Sequence, residues 1–171
     1  DHYKSRMKAL ILNDIGPEVE VKGIERILGY VGHGRSYDTW VHAAKSLRDS
    51  HNDCFPKYKI DDWLDLAKRT MILGQNGRVI LDYDMGIAEP YRLTNASEQP
   101  SLWESFASLT SIPMLVLRGE LSDLLSERTV ARMLAEHNGL RTVTVPMVGH
   151  APSLAEPEAV EAIKRFLKQI D

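Results

Sequence analysis

The sequence predicts an α/β fold in which a parallel sheet is interrupted, after its first strand, by a mainly helical insertion. Three observations carry this. "MKALILN" (7–13) and "MLVLRG" (114–119) are nearly continuous apolar runs, the pattern of strands buried on both faces. The last seventy residues alternate strand, helix, strand, helix, a grammar that demands parallel pairing with right-handed crossovers. The stretch between the two parts has the period of helices.

The elements follow in order. "MKALILN" is the first strand, ended by Gly16-Pro17. "VKGIERILGYVG" (21–32) carries Ile24, Ile27, Leu28 and Val31 at helical spacing. "SYDTWVHAAKSLRDS" (36–50) is a second helix, with Ser36 as its expected N-cap and Trp40, Ala43, Ala44 and Leu47 as its stripe. "KIDDWLDLAKRTMIL" (59–73) is a third, "GQNGR" a turn and "VILDYDMG" a short extended piece. After the short helix "SLWESFASLTSIP", "MLVLRGELSD" is the second core strand. "SERTVARMLAEHN" is a helix capped by Ser126, with Val130, Met133 and Leu134 inward. "RTVTVP" is the third strand. "PEAVEAIKRFLKQI" is the last helix, started by Pro157, with Val160, Ile163, Phe166 and Leu167 inward. The resulting division is 1–17 for the first core strand and its exit, 18–100 for the helical insertion, and 101–171 for the βαβα part.

Composition narrows the function. The 171 residues are 43% hydrophobic and 26% charged with net charge -3, so no basic surplus is present and nucleic acid is not an expected partner. No apolar run is long enough to span a bilayer, and no signal peptide is visible; no membrane partner is expected. The single cysteine, Cys54, allows no internal disulfide and points to a reducing, cytoplasmic setting; it reads as a semi-buried small residue. His2, His33, His42, His51 and His137 have no metal-ligand spacing, and "GYVGHG" does not follow a strand as a dinucleotide site requires. The chain starts at Asp1 and enters a strand at once, which raises the expectation of a preceding segment.

In open parallel sheets, ligands bind beyond the carboxyl ends of the strands. There stand Asn13 and Asp14 after the first strand, Asp123 after the second and His150 after the third. An acid that orients a histidine, which in turn relays a proton, is the chemistry such a set offers. Each residue also has a plain structural reading: Asp123 as a helix cap, His150 as a turn histidine. Their occurrence on successive strands of one unit favours the paired reading.

"LRGELSDLLS" (117–126), followed by "VTVPMVGHAPSLAEPEAVEAIKRFL" (143–167), resembles the carboxyl-terminal half of an α/β-hydrolase. The likeness is to bacterial C–C bond hydrolases, enol-lactonases and carboxylesterases. "LILNDIGPE" resembles the sixth strand and the loop into the helical cap, and "GYVG", "FPKY", "DDW" and "LWESF" resemble cap and post-cap segments. The resemblance implies a Ser-His-Asp hydrolase of an ester, a lactone or a C–C bond next to a carbonyl. It makes His150 the triad base and Asp123 the triad acid, with Asp14 the alternative acid after strand six. It implies a small-molecule substrate, no metal or organic cofactor, and a cap over residues 18–100 that shapes the pocket. Trp40, Trp63 and Trp103 could line that pocket, although on helix stripes they read first as core; Tyr30, Tyr37 and Tyr58 are candidate donors to a substrate oxygen.

One departure is large. The family's nucleophile sits in G-x-S-x-G, and these residues contain none; Ser122 and Ser153 are not on a glycine-flanked elbow. The expected serine therefore lies outside these residues, on the amino-terminal half of the hydrolase, carried either on a separate chain or in a removed segment, and the outer edge of the first strand would pair with it. Two other readings stay open: a non-catalytic, partner-binding part of a hydrolase, and a non-hydrolytic relative (haloperoxidase-like, dioxygenase or lyase).

Overall fold

The computed structural model describes residues 4–89 and 100–170. His2 and residues 90–99 of the predicted insertion lie outside them. The chain divides into two compact units, Asp1–Ile24 with Ala96–Asp171, and Glu25–Asn95.

The first unit is built on a three-stranded parallel sheet in the order β1 (Leu10–Asn13), β5 (Met114–Gly119), β6 (Leu140–Val145). Register pairs Leu10 with Met114 and Asn13 with Leu117, then Met114 with Leu140 and Gly119 with Val145. The central strand is buried at every residue, as its unbroken apolar run requires. Alternation sends Leu10, Leu12, Met114 and Val116 to one face, where they meet Trp103 and Phe106 of α4 (Trp103–Ala107) and Val130 and Met133 of α5 (Glu127–Glu136). On the opposite face Leu115 and Val143 face Phe166 of α6 (Pro157–Leu167), which packs on β6 and β5.

The helices start where the chain chemistry says they should. The Ser126 hydroxyl accepts from the Thr129 N–H at 3.2 Å, and Pro157 opens α6. Two expected core positions are outside: Leu134 and Leu167 are 44% and 49% exposed. Each lies one residue past a buried neighbour, Met133 and Phe166, and the 100° step carries it off the inward stripe.

In the second unit, α2 (Trp40–His51) packs on α3 (Ile60–Thr70). Fully buried Ala43, Ala44 and Ala67 permit close approach, and Phe55, Tyr58 and Trp63 form an aromatic cluster in which Trp63 stands edge-on to the other two rings. The cap of α2 is Thr39, not Ser36, because Ser36 is taken up in a strand. That strand, β2 (Ser36–Tyr37), joins β4 (Val79–Leu81) and β3 (Met71–Leu73) in an antiparallel sheet ordered β2-β4-β3. The expected third helix therefore ends at Thr70, and "MIL" pairs across the turn at Gly74–Gly77, where Gly77 has φ 74°. Helix α1 (Val21–Leu28) runs along the chain from the first unit into the second.

Candidate active site

Parallel pairing places the carboxyl ends of β1, β5 and β6 at one end of the sheet, and the loop after each supplies part of one cluster. The chain leaves β1 at Asp14, whose N–H donates to the Leu117 carbonyl at 2.7 Å. Asp14 has φ 56°, a left-handed conformation that aspartate tolerates better than most residues. This turn carries its carboxylate, 0% exposed, across the end of β5.

Three donors meet that carboxylate. Oδ1 accepts from the Gly119 N–H at 2.8 Å; Oδ2 accepts from the Ser122 hydroxyl at 2.7 Å and from His150 Nδ1 at 2.9 Å. Only donors face the group, which is the pattern an ionised carboxylate satisfies. The Nδ1–H bond sets the imidazole tautomer and leaves Nε2 as the acceptor nitrogen. The His150 side chain retains 20% exposure, so the ring is not sealed in the interior.

The surrounding backbone is knitted to hold these groups. Glu120 Oε2 accepts from the Met147 N–H at 2.7 Å, the Leu121 N–H donates to the Val148 carbonyl at 2.9 Å, and Asn13 Nδ2 donates to the Pro152 carbonyl at 2.9 Å. Gly119 is required by space: a Cβ there would stand 2.4 Å from the Val148 carbonyl oxygen and 2.6 Å from that of Gly149.

The expected pairing of His150 with Asp123 is corrected here: the carboxylate on Nδ1 is Asp14, the alternative after the first strand. The physical reason is local. After β5 the chain turns through Ser122, whose hydroxyl is held by the Leu124 and Leu125 N–H groups at 3.2 and 3.0 Å and faces Asp14. Asp123 stands one residue further on, half-buried, with interactions of its own. The left-handed turn at Asp14, which delivers the acid, has only a faint sequence signal: an Asn-Asp pair directly after an apolar strand.

Other candidates fall into structural places. The Ser153 hydroxyl donates to Glu156 Oε1 at 2.8 Å. His137 is buried, with Nδ1 accepting from the Gly139 N–H and Nε2 donating to the Leu109 carbonyl, both at 3.1 Å. Trp63 and Trp103 are buried core residues, the latter donating to Glu18 Oε2 at 3.0 Å. Tyr37 bonds Ser46 at 3.0 Å, Tyr30 lies edge-on to His51, and Tyr58 belongs to the aromatic cluster; Trp40 is half-buried. Among the described residues no group of three or more His, Cys, Asp or Glu is arranged to hold a metal, and no helix is long and apolar enough to cross a membrane.

Comparison with known proteins agrees with this architecture. No protein-family model matches the chain. It is 32% identical over 170 residues to the 3-hydroxybutyrate-oligomer hydrolase of Cupriavidus necator, covering 95% of this chain and 57% of that protein. Among solved structures, an α/β hydrolase from Novosphingobium aromaticivorans superposes with TM-score 0.87 at 49% identity, covering 96% of this chain and 57% of the other. E-2-(acetamidomethylene)succinate hydrolase shares the fold, with TM-score 0.71 at 20% identity over 94% of this chain and 57% of its own. The chain thus spans little more than half the length of the relatives it matches.

Proposed function

The chain belongs to the α/β-hydrolase fold family, matching its carboxyl-terminal half, and on that premise we propose that the intact protein is a Ser-His-Asp hydrolase whose relay is His150 and Asp14. The observation that carries this is the 2.9 Å bond between His150 Nδ1 and a fully buried carboxylate at the carboxyl end of a parallel sheet. A buried acid of this kind holds the tautomer and stabilises the imidazolium that forms in the transition state.

The roles follow from the atoms. A serine supplied from outside these 171 residues attacks a carbonyl carbon while His150 Nε2 takes its hydroxyl proton. The same nitrogen returns that proton to the leaving group, then activates the water that releases the acyl group. Neither Ser122 nor Ser153 lies on a glycine-flanked elbow, so neither is assigned as nucleophile, and their hydroxyls donate to Asp14 and Glu156. Of the three bond classes the resemblance implies, an ester is favoured, because the curated relative is named for an oligomer of a hydroxy acid, whose units are joined by ester bonds.

The test is fluorophosphonate labelling of the intact protein with peptide mapping, joined to a p-nitrophenyl ester assay. The label is expected on a serine outside residues 1–171, and His150→Ala is expected to abolish both turnover and labelling. A label on Ser122 or Ser153, or full turnover by His150→Ala, would overturn the assignment.

A further inference from the structure

We infer that Ser122 is a positioning residue for the relay, an inference that rests on the reading of His150 and Asp14 just proposed. Asp14 Oδ2 is shared: it accepts hydrogen bonds from His150 Nδ1 at 2.9 Å and from the Ser122 hydroxyl at 2.7 Å. The hydroxyl has one proton and two lone pairs. Its acceptor side is occupied by the N–H groups of Leu124 at 3.2 Å and Leu125 at 3.0 Å. The proton is therefore directed at Asp14 by the backbone of its own loop. The Ser122 N–H is in turn tied to the Gly119 carbonyl at 3.0 Å, and the Gly119 N–H holds the other carboxylate oxygen.

Two consequences follow. With Oδ1 held by Gly119 alone, the carboxylate plane could still rock about its Cβ–Cγ bond. Ser122 on Oδ2 removes that freedom, so the direction from which the Nδ1 proton is accepted is set before substrate arrives. Pre-set geometry of this kind is what keeps a proton acceptor aligned at the moment of transfer. Ser122 also shares the negative charge on the one oxygen that faces the imidazole, so the strength of that contact depends on a hydroxyl outside the triad. The competing reading is that Ser122 only braces the 119–125 turn, since its oxygen also satisfies two backbone donors.

The experiment uses the intact protein with Ser122→Ala and Ser122→Thr variants. The readouts are the NMR resonance of the His150 Nδ1 proton and steady-state ester hydrolysis. Ser122→Ala is expected to move that resonance and to lower kcat by roughly 10–100-fold with KM little changed, the scale seen when groups that orient a ligating or catalytic side chain are removed. Ser122→Thr, which keeps the hydroxyl, is expected to restore both. If Ser122→Ala fails to fold, Ser122→Cys carries the comparison, because it keeps the size with a weak donor. A folded Ser122→Ala or Ser122→Cys protein with the resonance and kcat of the parent would overturn the inference. So would loss in Ser122→Thr equal to that in Ser122→Ala. Failure of the underlying reading is distinguishable: it would show as undiminished activity in Asp14→Asn, whatever Ser122 does.

Discussion

At the scale of single residues, the site turns on which of two aspartates reaches one imidazole. Asp14 does so because its backbone adopts φ 56° and so folds the carboxylate back over β5. Asp14→Asn keeps the shape but presents an amide to Nδ1 and disturbs the tautomer, and kcat of the intact enzyme is expected to fall by about 10⁴-fold. Asp123→Asn is expected to stay within about tenfold, so parallel assays of the two variants decide between them. Gly119 invites a second test. Its alanine variant places a methyl group on the Val148 carbonyl and pulls the N–H from Asp14 Oδ1, and should cost about 1–3 kcal/mol in denaturant unfolding.

At the scale of elements, stability and titration are local properties. Met133 of α5 is fully buried in the cluster that also holds Trp103, Phe106, Met114 and Val116. Met133→Ala is expected to cost about 2–5 kcal/mol in thermal or denaturant unfolding, because the sheet beneath cannot collapse into the space. In the second unit, His51 ends α2. Burial holds its pKa below the ordinary 6.5, with Arg26 and Arg35 pushing the same way and its bond to the Leu47 carbonyl opposing them. The unfolded chain therefore takes up the proton first as pH falls. The stabilisation linked to neutral His51 is complete above about pH 6.5 and is lost as pH falls through the lower folded value. Unfolding midpoints measured from pH 7.5 to 5 should decline, and His51→Gln should flatten that part of the slope.

At the scale of the whole molecule, the outer edge of β1 matters most. The N–H groups of Leu10 and Asp14 are turned toward the β5 side, so alternation turns those of Ile11 and Asn13 the other way. On the sheet face that carries Leu10, Leu12 and Met114 lies an apolar hollow of about 200 Å³, also lined by Pro17, Leu102, Phe106 and Leu109. An uncovered apolar edge is a template for pairing. In the intact protein the Ile11 and Asn13 amides should be strongly protected from hydrogen exchange by a further strand. Exchange at the rate of free amides would show that no further strand pairs with this edge.

Covalent order alone made legible the parallel α/β core, its three strands and the resemblance to α/β-hydrolases. Those properties rest on apolar runs such as "MLVLRG", on Pro157 and Ser126 at helix starts, and on the motif around His150, all local features of covalent order. The small antiparallel sheet escaped because "MIL" continues the stripe of α3 and becomes a strand only when β4 lies beside it. The acid likewise depended on tertiary structure. Asp14 and His150 are 136 positions apart, and their meeting depends on a left-handed turn at one strand end and a hydroxyl at another. Sequence could bring both aspartates to the right end of the sheet, because strand ends are set by pattern. Which carboxylate faces the ring is a matter of backbone direction over one or two residues, and only the packed loops decide it.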